Sequence, residues 1–186
     1  VSGHPIATDT AWRTLAAGGT VVDAARAGAA ALVVTQPQAC ALGGDAFILV
    51  HDAARGRTEG LNASGPAPLL ATRDRFGASM PQRGALAVSV PGLVAGWQTL
   101  HQRYGKLAWS DVLAPAIALA RDGFPVANNL ARSTEVYADL LNADAATRAL
   151  FRPNGAPLAE GSILRQTALV STLEAIARDG AQAFYQ

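Results

Sequence analysis

Two stretches on either side of one short turn constrain the fold of this chain more than anything else in it. The first, Pro37-Gln38-Ala39-Cys40-Ala41-Leu42-Gly43-Gly44-Asp45-Ala46-Phe47-Ile48-Leu49-Val50, carries a glycine pair straight into an apolar run. The second, Leu61-Asn62-Ala63-Ser64-Gly65-Pro66-Ala67-Pro68, ends small, polar and proline-locked. Residues 47–51 read as a continuous apolar strand, the pattern of a strand covered on both faces. Residues 52–58, with Gly56 between Arg55 and Arg57, read as a solvated hairpin loop. Residues 59–63 return as the partner strand. Pro66 and Pro68 have no N–H to give to a ladder, so sheet pairing stops there. Functional sites are commonly built on loops that a rigid scaffold positions, and this strand end is one.

The surrounding pattern is helical. Residues 6–17 alternate with helical spacing, with Thr8 or Asp9 as the expected cap and Gly18-Gly19 as the stop. A second helix over 22–35 opens with Asp23 and is apolar nearly all round, which predicts a buried helix. Gln36-Pro37 ends it, because the residue before proline avoids helical geometry. Residues 69–84 read as a loop with a short helix near 72–76. Pro91 then leads into a helix over 93–104, closed by Gly105. Ser110 is the expected cap of the next helix, which runs to Asp122 with Pro115 near its start. Further helices are expected over 128–141 and 167–179, so the second half is mostly helical. No repeat or linker divides the chain, and residues 1–186 are expected to form a single domain of α+β class.

Composition narrows the function. At 186 residues the chain can bury roughly 70% of its unfolded surface. Only 16% of its residues are charged, against about 25% in ordinary globular proteins, which predicts that part of its surface faces another segment or subunit. A net charge of +1 without any basic run argues against nucleic acid. No apolar stretch is long enough to span a bilayer, and no leader pattern opens the chain. The compartment stays open between cytoplasm and periplasm. The single cysteine, Cys40, forms no internal disulfide and reads as a small buried hydrophobe. His4, His51 and His101 match no metal-ligand spacing, so no metal or cofactor is expected. Neither a G-x-S-x-G elbow nor a phosphate loop is present. Gly43-Gly44 leads into a strand rather than a helix, which ranks a nucleotide-binding domain last. Asp45 reads as a turn-capping carboxylate. No convincing nucleophile or base stands in the chain.

A set of ordered segments resembles the gamma-glutamyltranspeptidase family. Gly18-Gly19 followed by Val22-Asp23-Ala24-Ala25 resembles the family's early G-G-N-A-V-D-A-A element, with Thr20 for the asparagine. Pro37-Gln38 and Leu42-Gly43-Gly44-Asp45-Ala46-Phe47 resemble P-Q-x-x-x-x-G-G-G-G-F, with Asp45-Ala46 for two glycines. Val90-Pro91-Gly92-Leu93-Val94-Ala95-Gly96 resembles the P-G-x-V-A-G helix start. Tyr104-Gly105-Lys106-Leu107, the Pro115-to-Phe124 run and the final Ala183-Phe184-Tyr185 follow in the family's order.

The resemblance implies part of an αββα N-terminal-nucleophile hydrolase sandwich, namely the N-terminal portion of a large subunit. In such enzymes a precursor cleaves itself, and the new N-terminal threonine of the small subunit attacks an amide. That threonine lies beyond the matching segments, so none of Thr8, Thr10 or Thr35 is assigned as nucleophile. The implied partners are the small subunit, the remainder of the large subunit and a small-molecule amide. Glutathione-cleaving members carry an arginine in the segment matching residues 61–68, able to grip a substrate α-carboxylate through two parallel hydrogen bonds. Ser64 stands at its place. This version resembles the branch that includes cephalosporin-acylase-like and small-amide hydrolases. Ser64 and Asn62 are therefore expected to line the acyl pocket, and the alternative is that both only cap the strand end locally. The other readings are a glutathione hydrolase proper, and a non-catalytic structural or binding module.

Overall fold

The computed structural model describes residues Val1–Gln186, which fold into two compact units, Val1–Ala41 with His101–Gln186 and Leu42–Leu100. The first unit is a helical assembly. Helix α1 (Pro5–Ala16) starts with proline in its first turn, where no N–H is needed. Its cap is His4, whose Nδ1 accepts the Ile6 N–H at 3.2 Å, rather than the expected Thr8 or Asp9. Both of those lie a turn further on, because Pro5 already fits helical φ. At the other end the Gly18 and Gly19 N–H groups close on Leu15 O and Thr14 O.

Helix α2 (Val21–Thr35) is buried along most of its length, as its sequence predicts. Ala27, Ala30, Ala31 and Val34 have no accessible surface. Gly28 lets α1 approach closely: a Cβ there would lie 3.3 Å from both Ala11 Cβ and Ala7 O. Helix α2 also packs on α5 (Trp109–Asp122), which in turn packs on α9 (Thr167–Asp179). The cap of α5 is Ala108 rather than Ser110, which lies inside the first turn. Two polar ties cross the bundle. Trp109 Nε1 donates to Ile176 O at 2.7 Å and Gln166 Nε2 donates to Val34 O at 2.6 Å.

The helix expected over 128–141 is broken at Tyr137, which leaves helical geometry at φ −98°, ψ 29°. The result is α6 (Asn128–Val136) and α7 (Ala138–Asn142), followed by α8 (Ala145–Phe151) and, after α9, α10 (Gln182–Tyr185). No residue of α7 is buried, so no apolar stripe holds the segment straight. Two short strands, β3 (Phe124–Pro125) and β4 (Ile163–Leu164), pair antiparallel in this unit.

The second unit is built on the hairpin of β1 (Ala46–Asp52) and β2 (Arg57–Ala63), in register from Ala46 with Ala63 to Asp52 with Arg57. Asp52 Oδ1 holds its turn by accepting the Ala54 and Arg55 N–H groups. One expectation is corrected here. β1 is not covered on both faces: Phe47 is 77% and Leu49 80% exposed, while Ile48 and Val50 are half-buried. The sheet has two strands only, so the outward face of β1 has no layer over it in this chain. The short helix α3 (Arg73–Phe76) lies in the excursion after β2, and α4 begins at Leu93 and runs to Tyr104.

Candidate functional site: a glycine-locked strand end

The C-terminal end of β2 is the most constrained backbone in the second unit. Its neighbour is the Val90-Pro91-Gly92 turn that starts α4. The Val90 N–H closes on Pro66 O at 3.0 Å, and the Gly92 and Leu93 N–H groups both close on Gly44 O, at 3.2 and 3.0 Å. These backbones approach so closely that only glycine fits. A Cβ on Gly65 would lie 1.5 Å from Val90 O, and one on Gly92 would lie 2.1 Å from Ala63 O. A Cβ on Gly96 would meet Ala63 Cβ at 2.5 Å. Gly92 and Gly96 thus close on Ala63, itself 7% exposed, while Gly65 closes on Val90.

Asn62 and Ser64 flank this lock. Asn62 pairs with Phe47 and is exposed, and its Oδ1 accepts the Ser64 N–H at 2.9 Å. That bond fixes the chain as it leaves the strand, by a local side-chain turn. The Asn62 amide NH2 and the half-buried Ser64 hydroxyl have no partner within the chain. Asp45 sits opposite, and its Oδ1 accepts the Gly65 N–H at 3.4 Å. The structure therefore brings Asn62, Ser64 and Asp45 to one strand end. Two side chains able to hydrogen-bond thus stand at a rigid strand end.

The other chemistry-bearing residues are elsewhere and serve the fold. His51 bonds Thr58 on the exposed hairpin. Cys40 is half-buried, and burial pushes its thiol pKa up, away from the reactive thiolate. No group of three or more His, Cys, Asp or Glu side chains comes together that could hold a metal ion. No helix is long and apolar enough to cross a membrane.

One buried polar cluster was not read in the sequence. Asp23, with no accessible surface, accepts from the Thr20, Lys106 and Leu107 N–H groups and from the Thr20 hydroxyl, all on Oδ2. Its Oδ1 lies 3.6 Å from Arg26 Nη1. Arg26, 2% exposed, lies over the Trp109 ring at 4.8 Å and reaches His101 Nδ1 at 2.6 Å. Arginine can only donate, so His101 accepts on Nδ1 and carries its proton on Nε2. Burial raises the Asp23 pKa, but the hydrogen bonds outweigh it and the net direction is down. Burial lowers Arg26 to about 10 against the opposing pull of Asp23, and burial with the Arg26 charge lowers His101. The Asp23 signal was present as the start of α2. Its reach to residues 106 and 107 was not, because no local pattern encodes a contact across eighty residues.

The fold is that of an α+β N-terminal-nucleophile hydrolase, as comparison with known proteins shows. The family model for gamma-glutamyltranspeptidase matches residues 7–186, and the chain belongs to that family. It is 36% identical over 189 residues to the glutathione hydrolase-like YwrD proenzyme of Bacillus subtilis, covering all of this chain and 36% of that protein. It is 38% identical over 167 residues to glutathione hydrolase 7 of Bos taurus, covering 90% of this chain and 25% of that one. Among solved structures it resembles the gamma-glutamyltranspeptidase of Helicobacter pylori, with TM-score 0.94 and 32% identity over 100% of this chain and 55% of that one. It also resembles a cephalosporin acylase from Bacillus halodurans, with TM-score 0.90 and 34% identity over 98% of this chain and 36% of that one. The chain thus spans about a quarter to a third of the length of these curated relatives.

Proposed function

We propose that this chain is the N-terminal portion of the large subunit of a gamma-glutamyltranspeptidase-like amidohydrolase or acyltransferase. The attacking group is the N-terminal threonine of a small subunit released by autocatalytic cleavage. Its hydroxyl adds to the amide carbonyl while its own amine takes the proton. The tetrahedral intermediate then breaks its C–N bond, the substrate's amine leaves with that proton, and an acyl-enzyme remains. Water or a second amine removes the acyl group and regenerates the threonine. This chain contributes scaffold and one wall of the acyl pocket, with Asn62 and Ser64 as the lining side chains, and by itself it turns over no substrate.

The observation that carries the substrate reading is the strand end, where Ser64 stands in the place of a carboxylate-gripping arginine. A hydroxyl has neither the charge nor the reach to replace a bidentate ion pair. The preferred substrates are therefore amides whose acyl group lacks the glutamyl α-carboxylate pattern. Converting Ser64→Arg in the full-length processed enzyme is expected to raise kcat/KM on γ-glutamyl anilides by at least about tenfold. Unchanged γ-glutamyl turnover would remove Ser64 from the pocket. The names of the relatives support a second reading, a glutathione hydrolase proper, and efficient glutathione cleavage by the unmodified enzyme would select it.

A further inference from the structure

Residues 152–156 form a tight turn between α8 and β4 and read Arg-Pro-Asn-Gly-Ala. Asn154 is the one non-glycine residue of the chain with a positive φ, at φ 58° and ψ 22°. Asparagine enters that left-handed region more readily than most residues. Gly155 follows at φ 79°, and a Cβ built on it would have nothing within 4 Å. Both residues are exposed, and the Asn154 carboxamide has no hydrogen-bond partner within the chain. An asparagine side chain ahead of glycine is open to attack by the glycine nitrogen, because no side chain shields that nitrogen. Of the five asparagines in the sequence, only Asn154 precedes a glycine.

The fold holds this reaction back. Ring closure requires the Gly155 nitrogen to eclipse Cβ about the Cα–C bond of Asn154. At ψ 22° it nearly eclipses the Asn154 nitrogen instead. The Gly155 N–H is also engaged, donating to Arg152 O at 2.9 Å. Arg152 clamps the turn again with its side chain: Nη2 donates to Gly155 O at 2.8 Å and Nη1 to Thr134 O at 2.5 Å. Arg152 is 9% exposed and its Nε is buried without a partner, so those two carbonyls hold the guanidinium.

We propose that Asn154 is a deamidation site and that the Arg152 clamp sets its rate. When the turn opens, the Gly155 amide gives its proton to solvent base and its nitrogen bonds to Asn154 Cγ. The Cγ–Nδ2 bond breaks, and Nδ2 leaves as ammonia with a proton from water. Water then opens the cyclic imide at one of its two carbonyls. One opening gives aspartate, the other isoaspartate, whose main chain runs through Cβ. Either product adds a carboxylate to the turn, and isoaspartate also inserts a carbon into the loop that Arg152 closes. The inference is independent of the proposed function.

The test follows the full-length processed enzyme at physiological temperature and mildly alkaline pH. Peptide mapping by mass spectrometry locates each exchange of NH2 for OH. In the native wild type, Asn154 should convert before any other asparagine. Unfolding in urea should speed that conversion at least about tenfold, because every chain is then open. Arg152→Gln, shown to be folded by circular dichroism, should speed it by on the order of tenfold. Earlier conversion of another asparagine overturns the site. Equal rates in native and urea-unfolded wild type overturn the protection, and a folded Arg152→Gln with the wild-type rate overturns the role of Arg152. Should Arg152→Gln fail to fold, Arg152→Lys, which keeps the charge with a single donor group, takes its place: a faster rate sustains the clamp and an unchanged one overturns it.

Discussion

Asp23 sets the local energetics of the helical unit. One carboxylate satisfies three backbone N–H groups from two distant segments and neutralises a buried arginine. Removing one partner of a buried pair leaves the other charge uncompensated, at a cost of about 3–5 kcal/mol. Asp23→Ala is therefore expected to lose that much stability, read from the urea midpoint of the full-length protein. Arg26→Met should cost much less, because the thioether can fill the space over Trp109 and Asp23 keeps its N–H partners. pH probes the same cluster. The folded pKa values of His101 and His4 both lie below the ordinary histidine value, in each case through burial, with the Arg26 charge adding to it at His101. The unfolded chain thus takes up these protons more readily than the folded one. Their contribution is fully present above about pH 6.5 and is lost as pH falls through the lowered folded values. Asp23 follows the same sign at lower pH, with stability lost below the ordinary carboxylate range. His101→Gln, which keeps an acceptor for Arg26, should flatten the loss nearer neutrality and leave the acid limb in place.

At the scale of elements, the glycines divide into those that space requires and those it does not. Gly65→Ala would force a methyl group into Val90 O and should cost more than about 3 kcal/mol, or prevent folding of the hairpin unit. Gly43, by contrast, has nothing within 4 Å of a built Cβ, so Gly43→Ala should stay within about 0.5 kcal/mol. Thermal midpoints of the two variants side by side test the distinction. The sequence read the hairpin, its turn and the helices α1, α2, α4, α5 and α9 to within a residue or two, because periodicity, proline and glycine encode those locally. The strand end was read as a site from its composition, yet the reason it is rigid was not legible. Gly65, Gly92 and Gly96 each look like ordinary turn or helix glycines until the fold brings Gly65 onto Val90 and the other two onto Ala63. The caps at His4 and Ala108 escaped for a related reason: both precede the residue type that usually caps, and the helix begins earlier. The break at Tyr137 depends on the absence of a buried stripe, a property of the neighbours rather than of the segment.

At the scale of the molecule, the low charged fraction has a visible counterpart. Phe47 and Leu49 on the outward face of β1 are left to water, and each strand of the two-stranded sheet keeps one edge unpaired. Edges and apolar faces of this kind are normally covered. In the full-length processed enzyme, amides of residues 47–50 should exchange slowly. In the isolated chain they should exchange fast, as measured by deuterium uptake and mass spectrometry. Equal rates would mean that nothing else covers the hairpin. The same pair of preparations checks the division of labour: only the one containing a threonine-led subunit should hydrolyse acyl anilides.

The bond from Val90 to Pro66 pins together the two ends of residues 67–89. Once its ends are fixed, lengthening such a segment costs only about 0.6 kcal/mol per doubling. It is therefore a natural cassette: evolution or an engineer can exchange it for another of different length and chemistry while the clasp at its base keeps its geometry.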